Sequence, residues 1–434
     1  MNPDVPTTEE VEVLSDGGSP PPKKKMKTHT VDPMKQLLGK AQTFLNTDFM
    51  FYYKNVGLFD TEEAFQEFTE TLYKELPTTF RITSNTSFTA IVQAYMKDLF
   101  CGTETTTYEL GGKMSVEKPS PLKWYPGELG WHFEASRKAL RTSSLTKHLK
   151  HFLTHETEIG NISRQEAVSM VPPLLLDVQS HHKVLDMCAA PGSKTCQLIE
   201  LLHQQVPATQ TPSGFVMAND ANIARCYLLN HQVHRLASPA IIVTHYDATQ
   251  FPLIKLDADV FADKPEETLQ FDRILCDVPC SGDGTIRKNP LAGSGWDSVK
   301  HFKVFKLQLA IAKRSAQLLK VGGRMVYSTC AFNPIEDEAV VAQLLRESKG
   351  ALKLLDVSAE LPQLQRRPGL SHWKVIDQKK RIYASWNDVP EKSRLRIPLS
   401  VFPPSADEAS QFHLERCLRF YPHLQDTGGF FVAV

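Results

Sequence analysis

Lys183-Val184-Leu185-Asp186-Met187-Cys188-Ala189-Ala190-Pro191-Gly192-Ser193-Lys194-Thr195 reads as a strand, a tight turn and the start of a helix. The apolar run gives way to small residues, after which Leu198, Ile199, Leu201 and Leu202 mark a helix face. Small residues let backbone approach a ligand closely, and the free N–H groups of a first helical turn attract an anion. Two phosphate-binding motifs fit poorly. The dinucleotide fingerprint needs further glycines beside Gly192, and the phosphate loop needs Gly directly before Lys, where Ser193 intervenes. A dehydrogenase or an ordinary ATPase is therefore disfavoured, and Cys188, Ala189, Ala190, Pro191, Gly192, Ser193 and Lys194 become candidate contacts to another nucleoside-bearing cofactor.

Working outward, strand-like runs at 214–219, 240–246, 272–278, 323–328 and 429–434 alternate with helical stretches. That alternation predicts an α/β domain built on a doubly wound parallel sheet. Phe305, Leu309, Ala312, Ala316 and Leu319 recur at helical spacing and are expected to face the sheet. Asp220 lies just past the second strand and Asp247 just past the third. Taken singly, each reads as a helix cap or turn residue. Taken together, over the carboxyl ends of adjacent strands, they suit ribose hydroxyls and an adenine amino group in one crevice.

The fourth strand ends in Asp277-Val278-Pro279-Cys280-Ser281-Gly282-Asp283-Gly284 and the fifth in Ser328-Thr329-Cys330. If these strands are neighbours, their lines lie only about 4.8 Å apart, and two thiols distant in sequence share one site. Cys101, Cys196, Cys226, Cys276 and Cys417 read instead as inert core.

The stretches LDMCAAPGSKT, DVPCSGDGT, YSTC and YPHLQDTGGFF, with NISRQEAVSMVPPLLL upstream and STCAFNPIEDEA downstream, closely resemble the Sun-domain family of RNA cytosine-5 methyltransferases. FRIT and PLKWYPGELGWH narrow the resemblance to its eukaryotic tRNA members. The resemblance implies a Rossmann-like methyltransferase sheet, S-adenosyl-L-methionine as cofactor, and transfer of methyl to carbon 5 of cytosine in RNA, tRNA above all. It implies Cys330 as the nucleophile that adds to carbon 6, with Cys280 assisting release of the methylated base. Asp277 would bind the Watson–Crick edge of cytosine, and Lys194 is the candidate positive charge favouring a thiolate. DNA cytosine methyltransferases use the Pro-Cys thiol and lack the second cysteine, so the pair argues for RNA. His423 and Asp426 are implied as further lining residues, although Gly428 and Gly429 read equally as a turn into the last strand. Two departures are noted: residues 290–295 (PLAGSG) replace a charged helical stretch, and family members continue past Val434, which suggests a shortened or divergent member with reduced RNA affinity.

The remaining chain frames this domain. Residues 1–30 read as a disordered tail, 31–153 as a small amino-terminal α/β accessory region that binds RNA, and 154–434 as the methyltransferase domain. Helices are expected near 64–76 and 87–100, with a strand at Phe80-Arg81-Ile82. The tail carries Pro20-Pro21-Pro22-Lys23-Lys24-Lys25-Met26-Lys27, a cluster that nuclear import receptors read, which points to the nucleus and, more finely, the nucleolus. Forty-nine basic and 49 acidic side chains balance over 434 residues, so an RNA site must be a local patch. Candidates are Lys123, residues 137–150, Arg287 with Lys288, and the set Lys303, Lys306, Lys313 and Arg314, each of which also reads as ordinary solvated surface. No run approaches the roughly twenty apolar residues of a membrane span, and no C-x-x-C pair calls for a metal or a disulfide framework. A second reading, a catalytically silent RNA-binding or assembly factor, would keep the fold and lose cofactor affinity.

Overall fold

Residues 45–101, 107–110, 114–134, 144–204, 206–207, 210–255 and 268–434 are described by the computed structural model. The tail with its lysine cluster, and residues 137–143 of the basic run, lie outside the described residues. Asn46 opens helix α1 (Thr47–Asn55) by accepting the Phe49 N–H, and Thr61 opens α2 (Glu62–Leu72) by accepting that of Ala64. Phe49, Tyr52, Tyr53, Phe65 and Phe68 point from these helices into one cluster with Trp296, Phe332 and Tyr421. Next come β1 (Thr78–Ile82), α3 (Thr89–Cys101), β2 (Thr107–Leu110), β3 (Met114–Glu117), β4 (Ser120–Pro121), β5 (Gly130–Phe133), α4 (Ser144–Glu158) and β6 (Ile162–Arg164). Strands β2 and β3 pair with each other, while the rest form a four-stranded antiparallel sheet in the order β4-β5-β1-β6. The expected strand at Phe80 and both expected helices are present. The edge strand β6 comes from beyond residue 153.

The larger sheet follows α5 (Val171–Leu175). Its first half comprises β7 (Lys183–Asp186), α6 (Ser193–His203), β8 (Phe215–Asn219), α7 (Ile223–His234) and β9 (Ile241–Thr244). The second half comprises β10 (Phe271–Asp277), the single turn α8 (Leu291–Ser294), α9 (Val299–Leu318), β11 (Leu319–Thr329) and α10 (Glu338–Ser348). The chain closes with β12 (Arg367–Pro368), the β13 (Val375–Ile376) and β14 (Ile382–Tyr383) hairpin, α11 (Ala406–Phe412), β15 (Leu418–Phe420), α12 (Pro422–Gln425) and β16 (Phe430–Ala433). Eight strands run in the order β12-β15-β16-β11-β10-β7-β8-β9. Those from β9 to β11 are parallel, and the outer three are antiparallel. Every strand expected from the sequence is there. The parallel strands bury residues on both faces: Leu185 and Ile274 enter one core, Val184 and Leu275 the other. Phe305 and Ala312 are buried against the first face as expected, with Leu309 and Ala316 partly so. Leu319, expected on the same helix, instead opens β11, because the helix ends at Leu318 and its backbone turns extended.

Two arginines join the smaller sheet and the first helices to the larger one. Arg81, fully buried on β1, donates to Gln165 at 2.8 Å and pairs with Glu200 of α6 at 2.5 Å. Arg287 donates to the carbonyls of Lys74, Glu75 and Thr427 and pairs with Asp426 at 2.6 Å. Removing one partner of a buried pair strands the other charge, which typically costs about 3–5 kcal/mol. Arg81→Met is therefore expected to lower stability by about 3–5 kcal/mol in urea denaturation. Adding Glu200→Met should recover much of that loss, and an unchanged midpoint in the single variant would exclude the pair as a joint.

Candidate active site

The turn that follows β7 is shaped by Gly192, whose φ of +112° few side chains tolerate, and whose added Cβ would meet Leu229 at 3.0 Å. Helix α6 then begins, placing Ser193, Lys194 and Thr195 in its first turn. Thr195 donates to one oxygen of Asp186 at 2.7 Å. The other oxygen of Asp186 has no partner and is buried. Burial is the main cause that pushes this carboxyl up to about 7.

Strand β10 runs beside β11 in a register that sets Asp277 opposite Ser328. Ser328 donates to one Asp277 oxygen at 2.7 Å, and Lys194 holds the other at 2.7 Å. Burial disfavours the Lys194 charge, but Asp277 more than offsets it and the ammonium is held protonated above its ordinary range. Lys194 also lies over the Phe430 ring at 5.1 Å. Beyond the strand ends, the chain keeps the two loops together: Val278 N–H donates to Ser328 at 3.1 Å, and Gly284 N–H to Cys330 at 2.9 Å. The sulfurs of Cys280 and Cys330 consequently stand 3.2 Å apart, both as free thiols. The hydrogen bond to Cys330, and then burial, push the Cys280 thiol well up.

A cavity of about 300 Å³ opens over these groups. Its walls include Asp186, Cys188, Ala189, Ala190, Pro191, Ser193, Lys194, Asp277 and Cys330 from the expected set. Glu166, Gly284 and Arg287 also line it, together with Gly428, Gly429 and Phe430 from the chain's last segment. Cys280 stands behind Cys330 and does not line it. Asp220 and Asp247 lie further along the carboxyl edge, outside this cavity. Asp220 accepts the Ala190 and Asn222 N–H groups at 3.2 and 3.0 Å, which fastens the turn after β7 to the end of β8. Asp247 is exposed and caps a short turn by accepting from Thr249 at 2.8 Å. His423 and Asp426 do not line the cavity: His423 stacks on Tyr421, and Asp426 pairs with Arg287. Glycine is required at 429 because a Cβ there would lie 2.0 Å from Phe332.

Behind the thiols stands a set of buried polar groups that periodicity did not single out. Glu336 accepts the Ser281 N–H at 2.8 Å and bonds His301 at 2.5 Å. Gln308 donates to Pro279 at 3.0 Å and to Glu336 at 3.3 Å. Asp283 accepts from Tyr53, from Trp296 at 3.2 Å and from the Phe332 N–H at 2.9 Å. Thr329, next to Cys330, donates to Asp337 at 2.6 Å, and Arg419 bonds both Asp337 and Glu338. The only sequence signal for this support was the acid-rich NPIEDEA stretch directly after an apolar strand. Of the expected inert cysteines, Cys196 and Cys276 are buried and pushed up to about 12, Cys226 and Cys417 are buried, and the side chain of Cys101 is not described.

Known proteins resemble this chain in sequence and in fold. A "tRNA (cytosine(34)-C(5))-methyltransferase" of Drosophila melanogaster is 44% identical over 396 residues, covering 90% of this chain and 52% of that protein. A "Multisite-specific tRNA:(cytosine-C(5))-methyltransferase" of Saccharomyces cerevisiae is 44% identical over 385 residues, covering 88% of this chain and 54% of its own. The chain thus spans about half the length of the curated relatives it matches. Among solved structures, a methyltransferase homologue from Pyrococcus horikoshii shares the fold with a TM-score of 0.56 at 23% identity, covering 93% of this chain and 98% of its own. NSun6 from the same organism, solved with SFG, does so with a TM-score of 0.53 at 18% identity, covering 89% of this chain and 97% of its own. The family of "16S rRNA methyltransferase RsmB/F" matches residues 173–434, a span that holds all eight strands of the large sheet and both sulfurs, and the chain belongs to that family.

Proposed function

We propose that this chain transfers a methyl group from S-adenosyl-L-methionine to carbon 5 of a cytosine in structured RNA, with tRNA as the substrate class. The observation that carries the proposal is the pair of free sulfurs 3.2 Å apart beside a cavity that also holds the Lys194–Asp277 pair. The names of the relatives support the choice of tRNA. The residues fit the cofactor: the first turn of α6 offers N–H groups to a carboxylate, and the unpartnered, buried Asp186 oxygen suits an ammonium. Asp220 keeps acceptor capacity for a ribose, since a carboxylate offers about four acceptor sites, and Asp247 remains the candidate for the adenine amino group. When bound, the cofactor supplies an electrophilic methyl group.

Carbon 5 of cytosine is too weak a nucleophile to take that methyl unaided. Cys330 adds through its sulfur to carbon 6, which delivers an electron pair to carbon 5. An ammonium favours a thiolate beside it, and Lys194 is held charged next to this site. Asp277, fixed by Ser328 and Lys194, presents its carboxylate to the amino edge of cytosine and rejects uracil, which lacks that donor. A solvent water takes the carbon 5 proton, and the electron pair of that C–H bond forms the 5,6 double bond and expels Cys330 as a thiolate. Cys280, whose sulfur stands 3.2 Å from that of Cys330, assists this release. The target base has to leave its stack to enter, at a cost of a few kcal/mol that is smallest in loops and junctions.

We also propose a division into an accessory region and a methyltransferase domain, with the smaller sheet, whose edge strand β6 comes from beyond residue 153, on the accessory side. Nuclear placement through an import receptor at Lys23-Lys24-Lys25-Met26-Lys27 belongs to the same proposal and is supported by the composition of that run.

Cys330→Ala is expected to lower methyl transfer to a tRNA transcript by about four orders of magnitude or more and to form no covalent adduct. Cys280→Ala should instead accumulate a protein–RNA adduct, seen as a shifted band on a denaturing gel; the opposite pattern would exchange the two roles. Because Asp186 titrates at about 7, cofactor affinity measured by calorimetry should rise as pH goes from 6 to 8 and the carboxylate ionises. Asp186→Asn should remove that rise, and a wild-type affinity flat across this interval would show that Asp186 does not face the ammonium.

A further inference from the structure

Helix α9 has two working faces. Its inner face carries His301 and Gln308, which hold Glu336 and Pro279 and thereby the Cys280 loop. Its outer face carries Lys303 and Lys306, both exposed, at the end of the helix nearest the carboxyl edge of the sheet. Across from them the segment 374–397 supplies Lys379 and Arg396. The four cations line one groove of about 620 Å³, floored by apolar side chains that include Phe302 and Ile397, with Leu395, 93% exposed, at its edge. Among the described residues the groove's single carboxylate, Asp377, is already committed to Arg381 at 2.6 Å and Tyr383 at 3.1 Å. Among the described residues none of the four cations makes an ion pair. The other members of the basic set differ: Lys313 pairs with Glu347, and Arg314 donates to Phe251 and Gln317.

In a chain whose formal charge is zero, four uncompensated cations around an apolar floor are a local concentration that calls for a polyanion with apolar faces. We propose that this groove holds the phosphate backbone of the RNA strand that flanks the cytosine in the cavity. The inference rests on the RNA substrate proposed above and names where the rest of that substrate lies. Helix α9 stands between this groove and the Cys280 loop, so a strand that leaves the cavity reaches the lysines around that helix. Phosphates then meet the lysines and Arg396, while sugars and bases lie against Phe302 and Leu395.

The test uses the full chain, an unmodified tRNA transcript and the double variants Lys306→Gln/Arg396→Gln and Lys303→Gln/Lys379→Gln, with Lys313→Gln as the control on the same helix. Binding measured across salt concentrations should show the slope of log K against log salt falling by about 2 in each double variant, one for every phosphate no longer neutralised, and unchanged in the control. KM for the tRNA should rise about tenfold with kcat within twofold of wild type, because the groove binds RNA without touching the reacting atoms. Unchanged slope and KM in both double variants would overturn the proposal, as would a polyglutamate peptide that binds wild type as tightly as the tRNA and loses the same affinity in the variants. If the slopes fall as expected but wild type methylates no structured RNA, the groove stands and the substrate reading fails. If wild type methylates tRNA and the variants bind it normally, the groove alone fails.

Discussion

The parallel pairing of β10 with β11 is the constraint on which the rest of the site depends. Six residue pairs, from Phe271 with Leu319 through to Asp277 with Ser328, fix how far each strand extends before its loop begins. Because Asp277 and Ser328 are opposite each other, the three residues after one and the two after the other carry their sulfurs to the same point. A slip of one residue would turn Asp277 to the other face of the sheet and separate it from Lys194. The loops then continue the ladder: Val278 bonds Ser328 and Gly284 bonds Cys330, so the two thiols hang from a backbone that stays paired beyond the formal strands. Gly284 is the hub of this extension. It donates to Cys330 and accepts from Gly429 at 2.8 Å, and a Cβ would sit 2.5 Å from Gly429 and 2.7 Å from Cys330.

Holding two loops this closely requires support that does not yield, and the protein supplies it with buried polar groups rather than with packing alone. Glu336, Asp337 and Glu338 are consecutive, fully buried acids. Glu336 serves the Cys280 loop, Asp337 receives Thr329 beside Cys330, and Glu338 takes the Arg419 guanidinium. Burial pushes the Asp337 carboxyl well above its ordinary range, even against the pull of Arg419. Such networks are costly when incomplete and rigid when satisfied. Rigidity is what a pair of sulfurs at 3.2 Å demands.

The central sheet was legible because its strands are buried on both faces and therefore read as unbroken apolar runs, from KVLD to FFVA. The turn after β7 was legible for the opposite reason: only small residues permit it. Strands β12 and β15 escaped notice because they are two and three residues long and carry arginines, with Arg419 buried by its acids rather than by apolar neighbours. Leu319 misled because helical spacing continues by chance one residue into a strand. The cavity's far wall, Glu166 with Gly428 at 3.0 Å, joins segments more than 260 residues apart, and no local pattern encodes such a meeting. The resemblance implied His423 as a lining residue, yet its ring packs among aromatics at the base of α2.

That aromatic packing bears on what the amino-terminal helices do. Tyr53 of α1 bonds Asp283, which also holds Trp296 and the Phe332 N–H, so the loop that carries Cys280 is fastened on one side by a helix from the start of the described chain. The unusual PLAGSG stretch fits the same arrangement: it folds into the single turn α8, and the buried Trp296 that follows packs edge-on against Phe49 at 5.7 Å. Arg81 with Glu200 adds a second fastening, from β1 to the helix that begins with Ser193 and Lys194. The turn after β7 and the thiol loop are therefore each anchored to an element outside the large sheet. The segment before residue 153 acts as part of the foundation that holds the two sulfurs and the Lys194 turn in place.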